Sequence, residues 1–195
     1  MERLIQQLAF IVEIDKLKSI VRQSYLMNGS RKENDAEHTW HLAMMALLLA
    51  EHANERVDVN RVIQMLLVHD LVEIDAGDTF AYDDRGHDDK EERERRAADR
   101  IFSLLPHDQA TALRALWDEF EERATPEARF AAAVDRFHPM LHNYHNQGKS
   151  WQEHGITSDR VLIRNQHIAE GSATLWEYVR LMIQDAVGRG YLKEK

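Results

Sequence analysis

A single all-helical (all-α) domain is the fold the sequence predicts, and three observations carry it. The 195 residues suit one compact domain and would crowd two. With 3 prolines and 8 glycines, the chain has too little punctuation for many short strands. Its apolar residues recur instead at three- and four-residue spacing, the period of a half-buried helix.

The elements follow in order. A first helix is read over 2–20, with Leu4, Leu8, Ile11 and Val12 facing inward. The polar stretch NGSRKENDAE, 28–37, reads as a loop. A longer helix is expected from about His38 to Ala53, turning Trp40, Ala43, Met44, Leu47 and Leu48 toward the core. Asn60 is a capping residue for the next helix, 61–73, which is apolar nearly all round and therefore central. Gly77 ends the turn that follows, and the charge run 83–96 reads as a solvated face. That run leads into a helix with Ala97, Ala98, Ile101, Leu104 and Leu105 inside, and Pro106 precedes another over 107–123. Thr125 as cap and Pro126 at the first position open a helix reaching about Asn146. A solvated loop holding Lys149 and Trp151 then precedes a last helix over 158–187. Together they make one domain over 1–195, with a motif core at about 20–150 and the last helix packed on it.

A net charge of −9 and a pI near 5.6 argue against a nucleic-acid polymer as partner, since that would call for a basic face. A small anionic substrate stays compatible, because a bound cation and one or two arginines reverse the local potential. Without cysteine there are no thiolate metal ligands and no cysteine nucleophile. No apolar run approaches the ~20 residues of a membrane span. The first twenty residues carry early acids instead of a signal-peptide layout, so the expected setting is cytoplasmic, with no membrane partner.

Chemistry concentrates in MLLVHDLVEID, residues 65–75, where His69, Asp70 and Glu73 end an apolar run. Burying such groups unpaired costs several kcal/mol each. Helical spacing sets them on nearly one side of a turn. His38 at the start of the preceding helix and Asp135 in the alanine-rich AAAVDRFHPM supply similar groups from elsewhere. A buried polar cluster paired to arginines is the bland reading; the supply of donors on several helices favours a metal ion. Two imidazoles and two carboxylates suit one divalent cation (Mn, Co, Zn, Fe, Ni or Mg) without ranking them. Such a site makes a nucleophile of water and polarises a phosphoryl or carbonyl group.

The order His38 … His69-Asp70 … Asp135 resembles that of the HD-domain metal-dependent phosphohydrolases. AEHTWHLAMMALLLA, LLVHDLVEIDAGD and AAAVDRFHPMLHNY are similar, more closely, to the branch containing the 5′-deoxynucleotidases, over roughly residues 10–185. The resemblance implies that His38, His69, Asp70 and Asp135 ligate one divalent metal. It implies that Glu73 orients or deprotonates the attacking water and that Asp78 contacts the sugar 3′-hydroxyl. Arg22 matches the phosphate-holding arginine, with Arg31 as its competitor. Gln23 stands where the family carries a tryptophan that crowds out a 2′-hydroxyl, so a deoxyribose preference is not implied. The activity implied is that of a 5′-nucleotidase: a metal-activated water releases phosphate from (deoxy)nucleoside 5′-monophosphates, in a homodimer. The alternatives are an HD-type hydrolase of another phosphorylated or cyclic nucleotide, and a weakly catalytic nucleotide-binding regulatory module.

Other side chains receive lesser roles. His138, three residues beyond Asp135, is a candidate for lining the pocket, and His41 for a place behind the ligands or in the core. His87 and His107 read as surface, which favours one metal over two. Trp40, Met44 and Met45 read as core. Asp75 points away from His69 and is given no role.

Overall fold

The axis of the fold is α7, Pro126–His145. The computed structural model describes residues 1–83 and 89–195, so the reading of His87 lies outside the described residues. Thr125 caps α7 by accepting from the Ala128 N–H at 3.1 Å, and Pro126 occupies the first turn, where a missing N–H costs nothing. The alanines at 131–133 let neighbours approach closely. The short α10, Ile168–Gly171, lies against this helix so tightly that a Cβ on Gly171 would stand 2.2 Å from the Arg129 carbonyl oxygen.

Two more helices build the site's other walls. Asn34 and Glu37 form a reciprocal capping box at the start of α2, Asp35–Leu49. Asp58 opens α3, Val59–Val68, accepting from the N–H groups of Asn60 and Arg61; the cap is therefore Asp58 and not Asn60. The 61–73 helix is also shorter than expected. It tightens into a 3-10 turn over His69–Val72 and resumes as α4, Glu73–Ala76, ended by Gly77 at φ 77°. α5, Lys90–Phe102, and α6, His107–Glu122, lie where the periodicity places them. Glu94, within the run read as solvated, is buried and paired with Lys90 at 3.2 Å.

The other differences have physical reasons. The first helix, α1 (Glu2–Ile14), is shorter than expected, and Asp15–Ser19 form a 3-10 turn. Phe10 and Leu17 are buried there, whereas Leu4, Leu8, Ile11 and Val12 are exposed. On α2 the buried residues are Asp35, His38, Thr39, Leu42, Met45 and Ala46, while Trp40 is 64% exposed and Met44, Leu47 and Leu48 also face out. This helix is apolar on several sides, so hydrophobicity cannot select its inner face; the side carrying Asp35 and His38 is taken inside.

A two-stranded antiparallel ribbon, β1 (Val21–Tyr25) with β2 (Lys32–Asn34), precedes α2 and occupies part of the stretch read as loop. Residues 149–153 form α8, Lys149–Glu153, with Trp151 buried instead of solvated. The expected last helix is broken into α9 (Ser158–Asn165), α10 and α11 (Ala173–Gly188). Ser172 makes the final break, capping α11 through Leu175 N–H and donating its hydroxyl to the His52 carbonyl at 2.6 Å. Among the described residues no helix is long and apolar enough to cross a membrane.

Candidate metal centre and active site

The tightened 3-10 turn after α3 sets the geometry of the centre. His69 Nδ1 lies 2.8 Å from the Leu66 carbonyl oxygen, which can only accept, so the ring hydrogen sits on Nδ1. His69 Nε2 is buried, without a hydrogen-bond partner among the described residues. It lies 3.0 Å from Asp70 Oδ1 and 3.8 Å from Asp135 Oδ1. From α2, His38 Nε2 reaches within 3.0 Å of Asp135 Oδ1 and 3.7 Å of Asp70 Oδ2. Donor atoms of His38, His69 and Asp135 all fall within 4.8 Å of one another.

The electrostatics ask for a cation at this point. Burial alone would lower the His69 imidazole, yet Asp70 and Asp135 lift it to about 9. Against its own burial, Asp135 is held well below the usual carboxylate range by hydrogen bonds with His38 and His69. Two carboxylates and two imidazoles with converging lone pairs are the donor set of a divalent transition-metal site. At Asp135 the helix also gives up a backbone bond, because Pro139 has no N–H to return to the Asp135 carbonyl.

A second group of carboxylates adjoins the first. Oxygens of Asp35, Glu73 and Asp78 lie within 4.8 Å of one another. Glu73 opens α4 directly after the 3-10 turn that carries Asp70. Burial, reinforced by Asp70 and Asp35, pushes the Glu73 carboxyl well above its ordinary value. Burial and Asp70 raise Asp35 to about 6, against the pull of Arg22. From β1, Arg22 Nη1 bridges the two clusters, at 3.0 Å from Asp35 Oδ1 and 2.9 Å from Asp70 Oδ2. All of this opens on a cavity of about 590 Å³, whose walls include Arg22, Gln23, His69, Asp70, Glu73, Asp78 and Asp135.

A profile described as the HD domain matches residues 14–176. The chain belongs to the HD domain family. Human 5′-deoxynucleotidase HDDC2 is 30% identical over 135 residues, covering 69% of this chain and 65% of the human protein. The chain thus spans just under two thirds of that relative's length. The Dictyostelium discoideum protein of the same name is 30% identical over 144 residues, covering 70% of this chain and 75% of its own. A crystal structure from Magnetospirillum magnetotacticum MS-1, titled a predicted metal-dependent phosphohydrolase, superposes with a TM-score of 0.92 at 55% identity, over 99% of this chain and 100% of that one. A conserved hypothetical protein from Pyrococcus furiosus shares the fold, at a TM-score of 0.64 and 22% identity over 92% and 98% of the two chains.

Within this HD domain the remaining expectations divide. Arg31 is on the surface, paired with Glu37 at 2.6 Å, and is absent from the cavity wall. His138 does not line the cavity as expected; it is fully buried behind His38, with the two Nδ1 atoms 3.1 Å apart. Asp75 finds a partner outside the HD centre in Arg100, which also reaches Glu13 at 2.7 Å. Asp35 was missed, although its place three residues before His38 puts it on the same helical face. Also missed were Arg123, Arg136 and Arg164, three guanidinium groups on the cavity wall. Arg164 Nε is buried without a partner among the described residues, and burial beside Arg136 lowers this group to about 10. No spacing signal links residues 123, 136 and 164; packing alone assembles them.

Proposed function

We propose that this HD-domain protein is a metal-dependent phosphomonoesterase that releases phosphate from nucleoside 5′-monophosphates. The buried, unpartnered Nε2 of His69 carries the reading, set among His38, Asp70 and Asp135 beside a buried carboxylate and arginines. His38, His69, Asp70 and Asp135 would hold one divalent ion. When bound there, such an ion supplies Lewis acidity toward a phosphoryl oxygen and lowers the pKa of water.

The chain's own residues do the rest. Glu73, in reach of the centre on the cavity wall, accepts a hydrogen from the attacking water and aligns it with phosphorus. Arg22, fixed by Asp35 and Asp70, offers its remaining N–H groups to phosphate oxygens. Arg136 and Arg164 add positive potential to the same wall, favouring the charge that grows in the transition state. Asp78 accepts from the sugar 3′-hydroxyl. Gln23 lacks the bulk of an indole, so ribose and deoxyribose both enter.

A homodimer in the cytoplasm is the working state we assign. The exposed apolar residues of α1 and α2 support the dimer, since a partner copy would cover them. The function is tested by stripping the protein with chelator, restoring single divalent metals, and assaying phosphate release from ribo- and deoxyribonucleoside monophosphates. Metal-dependent release from both sugars is expected. If no metal restores release from any monophosphate, the proposal fails.

A further inference from the structure

A separate knot of donor side chains lies behind His38, away from the substrate cavity. Glu33 comes from β2, His41 from α2, and His138 and His142 from α7. One donor atom from each falls within 4.8 Å of all the others. Ligands about 2.0–2.2 Å from a common ion stand at separations of this order. Glu33, His138 and His142 are buried, at 2%, 0% and 2% exposure, and His41 is half-buried.

Hydrogen-bond accounting shows what the knot lacks. His142 Nδ1 lies 2.7 Å from the Tyr25 carbonyl oxygen, so the hydrogen is on Nδ1 and Nε2 is a bare acceptor. That Nε2 faces Glu33 Oε1 at 3.8 Å. Neither His142 Nε2 nor Glu33 Oε2 has a hydrogen-bond partner among the described residues. Buried acceptors left without a donor are costly unless a cation joins them.

We propose that Glu33, His41, His138 and His142 form a second cation site, selective for a divalent transition metal of the Zn²⁺ type. Three imidazoles with one carboxylate favour such ions over Mg²⁺ or Ca²⁺, which prefer all-oxygen shells. An entry path exists: a cavity of about 330 Å³ reaches Glu33, His41 and His142 past Met27 and Trp40. The site touches the first centre through one ring. His38 Nδ1 is 3.1 Å from His138 Nδ1 and 3.5 Å from Glu33 Oε2.

The site uses no residue of the substrate cavity's chemistry and stands apart from the phosphatase reading. Its test is a Zn²⁺ titration of the chelator-stripped full chain, read by equilibrium dialysis and elemental analysis. Uptake of a second equivalent beyond the first is expected. Uptake is expected to persist in the His69→Ala/Asp70→Ala protein and to be lost when Glu33→Gln and His142→Ala are added. An anomalous map from Zn²⁺-soaked wild-type crystals should show a peak between Glu33 and His142, a readout that needs no variant to fold. Absence of that peak, or a second equivalent undiminished by Glu33→Gln/His142→Ala, overturns the proposal.

Discussion

At the scale of single residues, tautomers and burial say more than residue type. The histidine at 69 becomes a candidate ligand because the Leu66 carbonyl takes its other hydrogen; a surface histidine such as His107 has no comparable constraint. Glu73→Gln is expected to leave metal uptake intact and slow turnover by roughly 10²–10⁴-fold, the usual worth of a general base. Metal analysis beside steady-state kinetics checks it; loss of metal would make Glu73 a ligand instead. His167 offers a pH prediction. Burial, then Arg136 and Arg123, lower its imidazole from 6.5 to about 4. Between those values the unfolded chain binds the extra proton, so this contribution to stability is full above pH 6.5 and is lost as pH falls through about 4. His167→Gln should flatten that acid limb by on the order of 1 kcal/mol, after discounting for solvent at the half-exposed ring. Urea titrations at several pH values measure it.

At the scale of elements, local sequence signals succeed where caps and punctuation are strong. The Thr125-Pro126 start of α7 is legible because it depends on neighbours alone. The 3-10 turn at His69–Val72 is not, since its tightening is decided by what packs around it. The joint between α10 and α7 is likewise a tertiary matter. Gly171→Ala is expected to push the two apart and destabilise the fold by about 1–3 kcal/mol, as overpacking does. Chemical denaturation reads the loss directly. An unchanged midpoint would show that α10 shifts freely.

At the scale of the whole molecule, the outward faces of α1 and α2 are the features a lone chain leaves unexplained. Trp40→Glu with Leu47→Glu is expected to convert a dimer to a monomer in light scattering while leaving the helical circular dichroism unchanged. A wild-type monomer would remove the dimer from the proposal. By itself the sequence determined the helical class, the HD family and the residues whose donors meet at the centre, because helix periodicity and the His38 … His69-Asp70 … Asp135 order are local or linear properties. Only the tertiary structure decided which face of α2 is buried, that Arg31 stands outside the cavity, and that His138 sits behind His38. It alone brought Glu33 to three histidines and gathered Arg123, Arg136 and Arg164 on one wall. The reason is physical: an apolar helix carries no marker for its inner side, and contacts between residues far apart in the chain leave no period to read.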